Sequence, residues 1–226
     1  MGKKLVITID GPGGAGKSTV SKALAAQLAY LYLDTGAYYR AYAYKAKEEG
    51  ILPANDQQLA ELGRRIKIHT ENREGMVLVF VDGRDVTEHI RTEEISILAS
   101  TISARPCVRQ ALIEIQRQVG AQGGIVAEGR DMGTVVFPQA HIKFYLDAAT
   151  SERAKRRYQE LLAENDAEDY EKVASALILR DTQDRERLIA PLKPAVDAYL
   201  IDSTNMTVHE VVDKMARLIL RHKPPE

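Results

Sequence analysis

A single cysteine stands in this chain of 226 residues, and a lone thiol cannot close an internal disulfide. Nothing in the sequence therefore asks for an oxidising compartment. Cys107 lies between Pro106 and Val108 at an expected helix start, a position that can lower a thiol pKa. With no histidine paired to it, packing is its expected role. Long apolar runs are missing too: none approaches the roughly 18 residues of a membrane span, and MGKK runs straight into a strand with no signal-peptide pattern. The expected location is cytoplasmic, without a membrane partner. The formal charge of −1 leaves no excess of positive charge for a nucleic-acid footprint, so no nucleic-acid partner is expected. The five histidines, His69, His89, His141, His209 and His222, show no metal-ligand spacing. Internal repeats, low-complexity tracts and flexible linkers are likewise absent.

What is present is an ordinary globular composition, 45% hydrophobic, in a chain long enough for one domain or one domain with insertions. The runs LVITI, GIVAE, HIKFYLD and AYLIDST predict buried strands, with helical patterns between or after them. This alternation predicts an α/β fold with a parallel sheet flanked by helices on both faces. From about Met206 the last helix carries Val208, Val211, Val212, Met215, Leu218 and Ile219 on one face, ahead of a fraying RHKPPE tail. Two segments depart from the alternation. Between about Ile66 and Ile90, short β-type runs separated by ENREG and DG predict a small antiparallel meander inserted in the core. From Arg153 to Val173 the sequence is dense in charge, which suits either an exposed helix pair or a mobile lid presenting Arg153, Arg156 and Arg157.

The stretch GPGGAGKST, comprising Gly11, Pro12, Gly13, Gly14, Ala15, Gly16, Lys17, Ser18 and Thr19, fits the spacing G-x-x-x-x-G-K-[ST]. It sits between the strand VITID and the run VSKALAAQLAYL, where Val20, Ala23, Leu24, Gln27, Leu28 and Leu31 recur at helical spacing. Each residue type has a mechanical reason. Glycines let backbone N–H groups converge on an anion, and the helix N-terminus adds unpaired donors and the positive end of its dipole. Lys17 can then reach β- and γ-phosphates, and the Ser18 hydroxyl can ligate Mg²⁺.

A phosphate loop does not choose among ATPases, GTPases and kinases. No guanine-reading N-K-x-D occurs, and Asp147 of YLD is followed by Ala148, a poor match to the strand-ending Asp-Glu of many hydrolases. A kinase for a small acceptor remains, and it needs a second anion site. Arginine outnumbers lysine, as suits grips on small phosphorylated ligands by planar forks. DTGAYYR offers Asp34, Thr35 and Arg40. EGRDMGT brings Arg130 and Asp131 to a strand's carboxyl end, where open α/β sheets bind ligands. RDTQDRER places Arg180, Asp184 and Arg187 at i, i+4 and i+7 on one helical face. In AYYRAYAY, Tyr38 and Tyr42 are expected to be core or hinge residues rather than base-stacking ones.

These motifs together resemble the bacterial cytidylate kinases of the nucleoside monophosphate kinase group. GPGGAGKST, YLDTGAYYR, the insertion ending near IRTEEI, RPCVRQAL, EGRDMGTVVFP, FYLDA, RDTQDRER, APL and IDSTNMT occur in that family's order over nearly the whole chain. The resemblance implies a P-loop three-layer fold in one domain, 1–226. Its core would be 1–63, 94–150 and 174–226, with a monophosphate-binding β subdomain at about 64–93 and a lid at about 151–173. It implies ATP with Mg²⁺ and the acceptors CMP and dCMP, acting in a monomer.

The resemblance further implies that the nucleobase meets Ser100, Arg109 and Asp131. A carboxylate for cytosine's amino group and a guanidinium for its acceptors would be complementary. The monophosphate would be held by Arg40, Arg130 and Arg187, the ribose by Asp184, and Thr35 would keep a hydroxyl near the sugar or phosphate. Arg180, with the lid residues Arg153 and Arg157, would close on the phosphoryl group in transit. Lys17, Arg130, Arg180 and Arg187 are thus the expected catalytic set. Ser18 stands where some members of that family have Gly, and Glu128 where Asp is also seen. Two other readings stay open: a P-loop kinase acting on UMP or a non-nucleotide hydroxyl, and a nucleotide-binding module without transfer activity. The first would keep Asp131 away from a base; the second would have no need of both anion sites.

Overall fold

The structure is a computed structural model that describes residues 4–73, 76–163 and 169–222. It divides into two compact units, residues 1–33 with 120–226, and residues 34–119. Among the described residues no helix is long and apolar enough to cross a membrane.

The first unit is built on a five-stranded sheet of β1 (Val6–Asp10), β2 (Leu31–Asp34), β6 (Ile125–Gly129), β7 (Ile142–Asp147) and β8 (Tyr199–Asp202), in the order β2-β6-β1-β7-β8. β1 pairs in parallel with β6 and with β7, and β7 in parallel with β8. The central strands bury successive residues, and therefore both faces, which is why VITID and IKFYLD read as near-continuous apolar runs. α1 (Lys17–Leu28) lies against β6 and against α8 (Val208–Arg221). α8 starts at a capping box between Thr207 and Glu210 and buries Val211, Val212, Met215 and Ile219. Each such side chain is worth roughly 1.5–3 kcal/mol over its exposed state. Val208, expected on that face, is 42% exposed because it opens the first turn. α6 (Thr150–Ala163) and α7 (Tyr170–Glu186) pack as a pair. Positions 164–168 of the expected lid, the MGK of the N-terminal MGKK and the KPPE of the tail lie outside the described residues.

Helical spacing carries the first helix to Leu31, but the helix stops at Leu28. Ala29 takes a left-handed conformation, φ 52°, and its N–H closes the last turn. Leu31 then donates its N–H to Gly124 O at 2.8 Å and opens β2, a strand not expected from the sequence. Burial of Tyr32 and Leu33 in the sheet outweighs the local periodicity.

The second unit holds α2 (Thr35–Glu48), α3 (Asp56–Arg65), α4 (Glu93–Ser103) and α5 (Pro106–Gly120), together with an antiparallel sheet β3-β4-β5. β3 (Ile68–Arg73) runs against β4 (Met76–Val81) from Ile68↔Val81 to Arg73↔Met76, and β5 (Arg84–Asp85) follows a two-residue turn. That turn is Asp82-Gly83 with φ 51° and 83°, the doubly left-handed geometry that a D-G pair favours in a hairpin. The meander expected in this segment is therefore present, within a larger helical unit; Glu74 and Gly75 of the ENREG turn lie outside the described residues. Tyr38 and Tyr42 are fully buried core residues of α2, as expected, the latter donating its hydroxyl to Leu59 O.

Candidate active site

Gly11, directly after β1, opens the phosphate loop with φ +153°, and a Cβ there would stand 2.0 Å from the backbone oxygen of Leu146 in β7. Backbone cannot yield to backbone, so only glycine fits. The loop ends at Gly16, whose carbonyl accepts the first hydrogen bond of α1 from Val20 N–H, at 3.0 Å. Lys17 and Ser18 occupy the first turn, Lys17 buried and Ser18 exposed. Lys17 Nζ donates to Pro12 O at 2.6 Å, folding the side chain back over the loop. Burial pulls its pKa down to about 7, and the Arg130 charge adds to this; Glu128 opposes it, Arg180 adds further, and Asp184 opposes it.

A second cationic cluster belongs to the same unit. β6 ends at Gly129 and delivers Arg130 and Asp131 beyond the sheet, in the region where parallel α/β sheets place ligands. Arg130 Nε donates to Asp184 Oδ2 at 2.7 Å. Asp184 projects from the last turn of α7, and Arg187 Nη1 stands 3.7 Å from its other oxygen. Arg187 Nη2 is 3.8 Å from Asp131 Oδ1, and its Nε donates to Ala190 O at 2.6 Å. Burial pushes the Asp184 carboxyl up, but Arg130, Arg180 and Arg187 together hold it below the usual carboxylate range. The expected single helical face from Arg180 to Arg187 is corrected here: α7 ends at Glu186, and Arg187 follows with extended backbone, ψ 138°. Leaving the helix is what lets its guanidinium reach Ala190 O.

In the unit 34–119, Asp34 caps α2 by accepting the Ala37 N–H, and its other oxygen lies 3.1 Å from Arg40 Nη2. Thr35 is buried beside the cap. Ser103 joins the two expected base contacts of this unit: its hydroxyl donates to Ser100 O at 2.7 Å, and its carbonyl accepts from Arg109 Nη1 at 3.2 Å. Arg109 is 3% exposed and lies over the Tyr39 ring, 5.6 Å from its centroid. Cys107 is half-buried; burial raises its thiol pKa and the Asp56 carboxylate adds to it, contrary to a lowered value at a helix start. Its Sγ lies 3.9 Å from Asp56 Oδ1.

A sequence profile of the family described as cytidylate kinase matches residues 7–221. The cytidylate kinase of Geobacter sp. (strain M21) is 50% identical over 216 residues, covering 95% of this chain and 92% of that one. The cytidylate kinase of Bacillus subtilis (strain 168) is 44% identical over 219 residues, covering 97% and 98%. The chain belongs to the cytidylate kinase family. A solved gluconokinase from Sinorhizobium meliloti 1021 shares the fold, with a TM-score of 0.50 at 12% identity over 98% of this chain and 97% of that one.

In this cytidylate kinase family member, Lys17, Arg130, Asp131, Arg180, Asp184 and Arg187 are electrostatically linked in one unit. Arg153 is a correction. It was expected in the lid, facing the phosphoryl group, yet it is 2% exposed and its guanidinium is consumed by protein. Nε donates to Ala148 O at 2.9 Å, Nη2 to Thr150 Oγ1 at 3.0 Å, and Nη1 to Gly13 O at 3.0 Å and to Asp181. Arg157, on the same helix, is partly exposed and pairs with Glu160 at 3.3 Å. Arg156 donates to Ser203 O at 2.8 Å.

Sequence spacing singles out neither Asp181 nor Asp10, and it notes Glu128 without giving it a role. Asp181 lies inside RDTQDRER but points at the phosphate loop, where its Oδ1 accepts Gly13 N–H at 3.4 Å. Glu128, for which sequence reading offered no physical account, accepts the Tyr32 hydroxyl in the interior and opposes the depression of the Lys17 pKa. Asp10 is buried at the end of β1. The signal for Asp10 was its place directly before Gly11; a carboxylate at the end of a buried strand is costly without a task.

Proposed function

We propose that this chain transfers the γ-phosphoryl group of ATP to CMP, and to dCMP, giving ADP and the nucleoside diphosphate, as a cytoplasmic monomer. The observation that carries this reading is the cluster of Arg130, Arg180 and Arg187 around Asp184; the charges of Arg130, Arg180 and Asp184 also reach Lys17. A phosphate cradle needs one cation; a second cationic group beside it suits a second phosphate.

In this reading Gly11 to Thr19 wrap the β- and γ-phosphates, with Lys17 swinging from Pro12 O to a phosphate oxygen. Arg40, Arg130 and Arg187 hold the acceptor monophosphate, Thr35 lies near its sugar or phosphate, and Asp184 meets the ribose while keeping Arg130 oriented. Ser100, Arg109 and Asp131 read cytosine, and Arg180 with Arg157 neutralises the phosphoryl group in transit. The segment 64–93 serves as the monophosphate-binding subdomain, and residues of 151–173 act as a lid. No general base is needed, because the acceptor is an anionic phosphate oxygen; positioning and charge neutralisation carry the rate.

The exposed Ser18 hydroxyl suits Mg²⁺, which takes one or two protein oxygens and fills its octahedron with phosphates and water. Ser18 would hold it, and Mg²⁺ would supply neutralisation of the charge that develops on the transferring phosphoryl group. Coupled measurement of ADP formation against CMP, dCMP, UMP, AMP, GMP and no acceptor tests the proposal. Turnover confined to CMP and dCMP is expected. Turnover led by UMP or AMP overturns the base assignment, and acceptor-independent turnover overturns the kinase reading.

A further inference from the structure

We infer that Asp10 is a positioning residue that ties the loop carrying Arg130 and Asp131 to the start of the phosphate loop. One carboxylate makes the connection: Oδ1 accepts the backbone N–H of Met132 and Oδ2 that of Gly133, each at 2.8 Å. On its other side, Asp10 is the last residue of β1 and Gly11 begins the phosphate cradle. The two N–H groups it takes directly follow Arg130 and Asp131. The donor and acceptor phosphate sites therefore share an anchor, an inference that rests on the roles proposed above for those two residues.

The local backbone explains why an anchor is needed. Asp131 leaves the strand with φ −149° and ψ 24°, and residues Met132–Val136 wind into one wide turn closed by Val136 N–H to Asp131 O at 3.2 Å and Phe137 N–H to Met132 O at 2.7 Å. The first N–H groups of such a turn have no partner within it, and in the interior each needs one. Asp10 supplies both. Gly133 also lies tight on the sheet, where a Cβ would come within 3.0 Å of Thr8 Oγ1 and 3.1 Å of Lys143 Cδ. Translation of the turn is thus blocked from below, while Asp10 fixes its register.

A carboxylate here is costly. Burial pushes the Asp10 pKa up to about 6 against the two N–H bonds, with the Asp131 charge raising it further and Lys17 lowering it. A position needed for packing alone would hold an apolar side chain. Two divergent acceptors on one short side chain are what only aspartate offers. Asparagine keeps one acceptor and turns an NH₂ toward the other N–H.

The test compares Asp10→Asn and Asp10→Ala with Asp131→Ala. CMP and UMP kinetics, the ATP KM and amide hydrogen exchange at Met132 and Gly133 would be measured. For Asp10→Asn we expect CMP kcat/KM to fall roughly 10- to 100-fold, as a displacement of about 1 Å should cause, with the CMP-over-UMP preference narrowed and amide exchange accelerated. The ATP KM should stay within about twofold, since Lys17 Nζ donates to Pro12 O and the Asp10 oxygens accept from Met132 and Gly133 rather than from a phosphate-loop amide. Wild-type CMP kinetics and preference in Asp10→Asn overturn the inference, as does a shift confined to the ATP KM. If Asp131→Ala leaves base preference intact, the base-reading assignment fails instead, and the anchor is then judged by the CMP kcat/KM and the exchange rates. Should Asp10→Ala fail to fold, Asp10→Asn alone decides.

Discussion

Arg153 and Asp181 form a buried ion pair beneath the phosphate loop and hold one loop residue from both ends. Nη1 of Arg153 lies 2.5 Å from Asp181 Oδ2 and donates to Gly13 O, while Asp181 Oδ1 accepts Gly13 N–H. α6 and α7 are thereby fastened to the cradle through a single residue. Removing one partner strands a charge in the interior, so Asp181→Ala should cost about 3–5 kcal/mol in urea unfolding. Replacing both by apolar residues of similar volume should cost less. A double variant as unstable as Asp181→Ala would show that the penalty does not come from the stranded charge.

Gly11→Ala should abolish ATP binding. Its Cβ would overlap the Leu146 carbonyl at 2.0 Å, and Gly11 directly follows β1, which is itself paired with the β7 strand that carries Leu146. Titration with an ATP analogue, alongside circular dichroism to check the fold, reads this out. Tight binding by a folded Gly11→Ala protein would mean that the loop relaxes without β7.

Asp131→Ala should raise the CMP KM and erode the preference over UMP, leaving the ATP KM near its normal value. A site that bonds cytosine's amino group through a buried carboxylate can discriminate by up to about 10⁴-fold, so even partial loss is measurable in steady-state kinetics. Unchanged discrimination would move base reading to Ser100 and Arg109.

Arg187→Ala should lower CMP kcat/KM by about 1.5–3 kcal/mol, the worth of a charge-assisted contact. Arg187→Lys should recover little, because an ammonium cannot bond Ala190 O and span to a phosphate with a planar fork. A near-neutral Arg187→Ala would place this arginine outside the acceptor site.

Asp10 also predicts a pH dependence of stability with a definite sign. Its folded pKa of about 6 exceeds its ordinary value of 3.8, so between these limits the native state binds more protons than the unfolded one. Native stability contributed by this group therefore falls as pH rises from 4 to 6 and is level above that. The stability of Asp10→Asn relative to the natural chain should improve over that window, by up to about 3 kcal/mol, since each pKa unit is about 1.4 kcal/mol. Denaturant melts at pH 4, 5, 6 and 7.5 would show it; a constant difference would mean that Asp10 titrates normally.

The sequence by itself determined what depends on local spacing. G-x-x-x-x-G-K-S between a β-branched run and an amphipathic run specified strand, cradle and helix, because glycine geometry and helix donors act over a few residues. The D-G hairpin and the Thr207 to Glu210 cap were determined in the same way, although the cap was not read from the sequence. Only the tertiary structure decided the partners that lie far apart in the chain. Leu31 left its helical pattern because Gly124 O, 93 positions away, offered a sheet bond. Arg153 turns inward because Asp181 and the Gly13 carbonyl together satisfy its charge, where composition left an exposed helix pair and a lid both open and the family resemblance implied the lid. Asp10 met its two N–H groups across 122 and 123 positions. Buried polar groups must find partners wherever the fold provides them, and no local periodicity records which ones those are.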